Sequence, residues 1–161
     1  MDCVIYGVGS PYVHEVDEIL IRLGWPVRPY VVNMETNYRP AGLSPLVDMA
    51  GLDSATLGLA VVFALTTPGH RQTLEAEARA KGFTIFPAVV DPTTVVAGSA
   101  TMGEGAVVNS NGSVGPGTWC RPYSDGRRRP RRRGGGARLA PERGPVCDAY
   151  AGEGLARSAK D

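Results

Sequence analysis

Between residues 88 and 120 one interior-type side chain returns at every sixth position: Val90, Val96, Met102, Val108, Val114 and Cys120. Two positions before each stands a small or slim residue: Ala88, Thr94, Ala100, Ala106, Gly112 and Thr118. A period of six suits neither a helix, with about 3.6 residues per turn, nor a flat strand, with a period of about 2. It suits a chain that turns a corner after every hexapeptide and points one aliphatic residue inward from each face. Three such faces close a triangular coil, so the six repeats predict about two coils, joined by sheet-type hydrogen bonds roughly 4.8 Å apart. Gly103, Gly105, Gly115 and Gly117 fall at the predicted corners.

The first half reads differently. Residues 3–7, CVIYG, are a short apolar run entering glycine, as in a buried strand. Over residues 12–24, Val13, Val16, Ile19, Leu20 and Leu23 line one face of a predicted helix, with Gly24 as its stop and Pro26 just beyond. Residues 27–33 predict a second strand, 34–45 a loop, and 46–51 a short helix. The run 57–65, LGLAVVFAL, is apolar without alternation, which predicts a strand buried on both faces of a parallel sheet. Pro68 and Gly69 open a helix that ends at Lys81-Gly82, with Leu74 and Ala78 inward, and residues 83–86 form an extended link into the repeats. The expected fold class is α/β: a small Rossmann-like parallel sheet with helical crossovers, followed by the hexapeptide coils.

Gly7-Val8-Gly9-Ser10 lies between the first strand and the first helix. In a doubly wound sheet this turn meets a phosphate-bearing ligand, because backbone N–H groups are free there and the helix dipole favours negative charge. The dinucleotide fingerprint is incomplete: Tyr12 stands where a third glycine belongs, and Asn33, not an acid, ends the second strand. Two readings stay open, a phosphate-binding turn and a tight turn that merely needs small residues. His14 reads either as an exposed helix residue or as a contact to ligand. Thr66 and Arg71 follow the third predicted strand, whose end lines the same crevice; Arg71 is either a phosphate partner or a solvated first-turn residue.

Charge divides the chain. Residues 1–120 hold 6 Lys/Arg and 11 Asp/Glu, whereas residues 121–161 hold 11 Lys/Arg and 5 Asp/Glu. Three units follow: 1–86, the sheet domain; 87–120, the hexapeptide coils; and 121–161, a basic low-complexity tail expected to be disordered because it has too little apolar surface to fold. RRRPRRRGGG reads as an arm for an anionic surface, as a solvated extension without a role, or as the out-of-frame product of a GC-rich gene. Nucleic acid is the less favoured partner, since no aromatic platform interleaves with the arginines. Cys3, Cys120 and Cys147 make an odd, scattered set that reads as neither a disulfide framework nor a metal site; Cys3 and Cys120 read as small apolar residues. With no signal peptide and no membrane span, a cytoplasmic location is expected.

VIYGVGS at 4–10, LAVVFALTTPGHR at 59–71, FTIFPAVVDPTTVV at 83–96 and SATMGEGAVV at 99–108 together resemble the sugar O-/N-acyltransferases that include sialic acid O-acetyltransferase and the bacillosamine-pathway N-acetyltransferase. The resemblance covers residues 1–120 and implies that the coils form a left-handed parallel β-helix. It further implies transfer of an acetyl group from acetyl-CoA to an amine or hydroxyl of a nucleotide-linked sugar, in a homotrimer. Gly7, Val8, Gly9, Ser10, Asn33, Thr66 and Arg71 are the candidate substrate-binding residues, and no metal is expected.

In that family a histidine about one coil beyond Val108 acts as general base. Here no histidine follows His70, and the region reads Cys120-Arg121-Pro122-Tyr123-Ser124-Asp125. No catalytic residue is therefore assigned, and the later coils of the family pattern are missing, as expected of a truncated or frameshifted chain. The alternative reading is a non-catalytic nucleotide-sugar-binding module.

Overall fold

The computed structural model describes residues 1–34, 38, 40–120 and 122–123. Its first unit is a parallel sheet of four strands, β1 (Cys3–Tyr6), β2 (Val27–Val32), β3 (Leu46–Asp48) and β4 (Ala60–Phe63), in the order β3-β2-β1-β4. Helix α1 (Tyr12–Arg22) connects β1 to β2, a four-residue helix α2 (Ser54–Leu57) precedes β4, and α3 (Pro68–Lys81) follows it. A parallel bridge from Ala60 to Ile85 extends the β4 edge, so the link at 83–86 runs beside the sheet.

Strand alternation divides the core into two layers. Cys3, Ile5, Ala60 and Val62 face Val13, Val16, Ile19 and Leu20 of α1. Val4, Tyr6, Val61 and Phe63 face Leu74 and Ala78 of α3, together with Phe83 and Phe86. Every residue of β1 and β4 is buried, which explains why both strands read as continuous apolar runs. Gly24, with φ +67°, stops α1 as the sequence predicts.

Residues 46–51 do not form the expected short helix. Leu46–Asp48 is the edge strand β3, and the Asp48 carboxylate then accepts from the N–H groups of Ala50 and Gly51, turning the chain away. The following helix, α2, is capped by Asp53, whose side chain accepts from the Thr56 N–H.

The hexapeptide stretch folds into two-residue strands, β5 (Val89–Val90), β6 (Val95–Val96), β7 (Thr101–Met102), β8 (Val107–Val108), β9 (Ser113–Val114) and β10 (Trp119–Cys120). Val90 pairs with Val108, Val96 with Val114 and Met102 with Cys120, each parallel. Partners are one coil apart, three hexapeptides on. The predicted inward residues make the interior: Val108, Val114 and Cys120 are buried, with Val90 and Met102 packed against them. Val96, in the first coil, is 40% exposed. Cys120 also takes part in a disulfide, which its reading as plain apolar filler did not anticipate.

One outer face of the coils is closed by the first unit. Val89 and Val107, which point outward from β5 and β8, are buried in the same cluster as the α1 side chains. Two polar contacts flank that seam. The Tyr12 hydroxyl donates to Asn109 Oδ1 (2.9 Å), and Arg22 pairs with Asp91. Asp91 and Asn109 follow the paired residues Val90 and Val108, so both contacts use the same corner in successive coils.

The expectation of a disordered tail, and the readings of its origin, fall outside the described residues except at 122 and 123. There Tyr123 departs from it: the side chain is buried beside Phe63 and Phe86, and its N–H donates to the Glu104 carbonyl.

Candidate functional site

The strand order creates one switch point. From β1 the chain proceeds to β2 on one side, while β4 lies on the other, so the carboxyl ends of β1 and β4 diverge around a crevice. Gly7–Ser10 leaves β1 at that point. Gly7 has φ +88°, and a Cβ there would meet Leu74 Cδ2 at 3.3 Å, so the position calls for glycine. The Gly7 N–H is spent on the Val31 carbonyl (3.0 Å). The N–H groups of Val8, Gly9 and Ser10 have no hydrogen-bond partner among the described residues.

Thr66 stands half-buried beyond β4, on the other side of the crevice. Asn33 follows β2, with its Oδ1 3.9 Å from the place a Gly7 Cβ would take, and its Nδ2 donates to Glu77 Oε2 (3.3 Å). Glu77 Oε1 accepts from the buried Tyr6 hydroxyl (2.8 Å). Burial first, and then the bond to Glu77, push the Tyr6 hydroxyl above the usual phenol range, so it stays a donor at neutral pH.

Arg71 is neither a solvated residue nor an open phosphate partner. It is fully buried, its Nε donates to the Leu65 carbonyl, and its Nη2 lies 3.5 Å from the Tyr12 hydroxyl. It ties the loop after β4 to the start of α1. His70 is exposed on the first turn of α3. His14 is exposed on α1, with its ring edge-on to Tyr38 at 6.4 Å.

Beyond the turn, over the carboxyl ends of β2 and β3, lies a cleft of about 270 Å³ lined by Val8, Val32, Tyr38, Pro40, Leu46, Val47 and Asp48. Val8 joins it to the glycine turn. Apart from Val8, the sequence reading missed this lining. Tyr38 sits in a stretch read as loop, and Asp48 in one read as helix, so no periodic signal marked them. Among the described residues no cluster of three His, Cys, Asp or Glu side chains is placed to hold a metal, and no helix is long and apolar enough to cross a membrane.

The coils contribute few acid–base groups. In the described part of 87–123 the ionisable side chains are Asp91, Glu104 and Tyr123, Cys120 being held in a disulfide. Asp91 is held by Arg22, Glu104 is paired with Arg79 (2.7 Å), and Tyr123 is packed against the sheet domain.

No family model matches this sequence, and no curated protein matches it. Solved structures do. A point mutant of perosamine N-acetyltransferase from Caulobacter crescentus, in complex with CoA and GDP-perosamine, superposes with a TM-score of 0.63 at 26% identity, over 78% of this chain and 59% of that one. PerB from the same organism, with the same ligands, gives 0.62 at 26% identity, again over 78% and 59%. The acetyltransferase domain of PglB from Neisseria gonorrhoeae, in complex with acetyl coenzyme A, gives 0.63 at 21% identity, over 78% and 61%, a likeness of fold. The chain thus spans about three fifths of the length of these structures (59–61%).

Proposed function

We propose that this chain, which shares its fold with the hexapeptide-repeat sugar acyltransferases, holds a nucleotide-linked sugar at its glycine turn and serves acetyl transfer from acetyl-CoA to an amine or hydroxyl of that sugar. The observation that carries the reading is the join itself. A switch-point crevice, with N–H groups at Val8, Gly9 and Ser10 that have no partner among the described residues, opens from the same α1 whose other side is sealed to the coils.

In this reading the pyrophosphate lies on the N–H groups of Val8–Ser10, with Thr66 opposite. The ribose reaches Asn33, and the base enters the cleft between Val8, Val32, Tyr38 and Leu46, where apolar walls and one ring suit a flat heterocycle. Arg71 braces this crevice through Leu65 and Tyr12. The sheet domain, 1–86, is the nucleotide-sugar domain and the coils, 87–120, are the start of the left-handed β-helix. Acetyl-CoA would supply the acyl group as a thioester. A homotrimer, as in the resemblance, would bring a neighbouring copy to the outward faces of the coils, where Val95 and Trp119 are exposed.

A second reading has its own observation. Asp91, Glu104 and Tyr123 are all engaged, so the described coils leave no free side chain to take the proton of an attacking amine or hydroxyl. That favours a nucleotide-sugar-binding module without turnover. Release of free CoA from acetyl-CoA, measured with UDP- or GDP-linked amino sugars, separates the two. Saturable release supports acetyl transfer; saturable binding without release supports the module; neither binding nor release rejects both.

A further inference from the structure

Glu77, on α3, is half-buried and accepts two side-chain hydrogen bonds, from Tyr6 at Oε1 (2.8 Å) and from Asn33 at Oε2 (3.3 Å). Neither bond belongs to the sheet or to the helix. Their consequence is chemical. A carboxamide can present either its oxygen or its nitrogen, and the two ends are nearly the same shape. A carboxylate can only accept, so the Asn33 amine must face Glu77. The Asn33 oxygen is thereby turned toward Gly7, to 3.9 Å from the place of a Cβ on that residue. Tyr6 is fully buried, edge-on to Phe63 and Phe83, so Glu77 is held in turn by a group that cannot swing away.

An acceptor at the end of the second strand, beside the glycine turn, is where a nucleotide's ribose hydroxyl is bound in doubly wound sheets, usually by an acid. Here the neutral Asn33 takes that place and acts as an acceptor only if something fixes its sense. We infer that Glu77 is a positioning residue which, through Asn33, makes this site selective for a ribose over a sugar lacking its hydroxyls. The inference rests on the nucleotide reading of the Gly7–Ser10 turn and adds the device that sets its sugar preference.

The test is titration calorimetry of the full chain with GDP, UDP and their 2′,3′-dideoxy counterparts. The wild type is expected to bind the better of the two ribonucleotides about five- to tenfold more tightly than its dideoxy form, the scale of one well-placed hydrogen bond. Glu77→Gln, nearly isosteric, offers Asn33 a donor as well as an acceptor. It is expected to bring that ratio to within about twofold while the dideoxy affinity stays put. Glu77→Asp keeps an acceptor-only group and is expected to retain the preference. If E77Q does not melt cooperatively, Tyr6→Phe, which frees Glu77 to move, carries the test with the same expected direction. An unchanged ratio in E77Q, or an equal loss in E77D, overturns the role of Glu77 alone. No binding of either diphosphate by the wild type overturns the nucleotide reading itself.

Discussion

Arg22, at the last turn of α1, donates from both Nε (2.9 Å) and Nη2 (2.6 Å) to a single oxygen, Oδ2, of Asp91. The other carboxylate oxygen of Asp91 accepts from the N–H and hydroxyl of Thr93. One buried side chain therefore shapes the first corner of the coils and fastens that corner to the sheet domain. Burial alone would raise the Asp91 carboxyl. The Thr93 bonds and the Arg22 guanidinium outweigh it and hold the group below the usual carboxylate range.

Asp91→Asn should cost about 1–3 kcal/mol at pH 7, less than a fully buried pair because the freed Arg22 can turn to water. A carboxyl depressed in the folded state stabilises above its unfolded value, near 4, and loses that contribution as pH falls through the lower folded value. Urea unfolding of both proteins should show a constant gap from about pH 7 to pH 5 that narrows below about pH 4. A gap that stays constant into acid would mean that Asp91 acts by shape and not by charge.

Gly105 has φ +62°, and a Cβ there would collide with Cε1 and Cδ1 of the Tyr123 ring. Gly105→Ala should cost about 3 kcal/mol, from left-handed backbone strain and from expulsion of the tyrosine ring. Because the two effects share one contact, the double variant with Tyr123→Ala should cost at least about 1 kcal/mol less than the sum of the singles. Strict additivity would show that Tyr123 does not lie against Gly105 in solution.

Gly7 and Gly24 both have positive φ, +88° and +67°, but only Gly7 belongs to the crevice. Alanine at either should lower stability by about 1–2 kcal/mol. Only Gly7→Ala should also weaken nucleotide-sugar binding, since it disturbs the N–H groups that follow. Equal binding by the two variants would take the turn out of the site.

Desolvation pushes the buried Cys3 thiol up to about 11. In the native protein at pH 8 it should resist iodoacetamide, and it should react promptly once urea exposes it, as peptide mass analysis would reveal. A raised thiol value also means that its stabilising contribution is complete below the unfolded value, near 8.5, and is lost as pH climbs toward the folded one. Fast native labelling of Cys3 would contradict its place in the core.

What the sequence displayed, and what it hid, follows from the range of each interaction. The coils were legible because a strict period of six leaves one geometry that keeps every inward residue inside, and the pairing of Val90 with Val108 follows from that period. The strands β1 and β4 were legible as continuous apolar runs. The edge strand Leu46–Asp48 was not, since three residues hold too little of any period to tell strand from helix. Arg71 left a trace that could have been used: it stands three and seven residues before Leu74 and Ala78, on the inward face of α3. An arginine there reads as surface until a buried acceptor is known, and the Leu65 carbonyl is supplied by the fold. The Arg22–Asp91 pair spans 69 positions and has no local signature at all. Asn33 was singled out from its place after the second strand; Glu77, which orients it, was invisible without the packing of α3.

The measurement that bears most directly on the account is titration of UDP- and GDP-linked amino sugars into the wild-type chain and into Gly9→Asp, which sets a carboxylate against the proposed pyrophosphate. The wild type should bind at least one nucleotide sugar saturably and one to one, and G9D should bind it tenfold or more weakly, about 1.4 kcal/mol, at unchanged melting temperature. No binding by the wild type, or equal binding by both proteins, would contradict it.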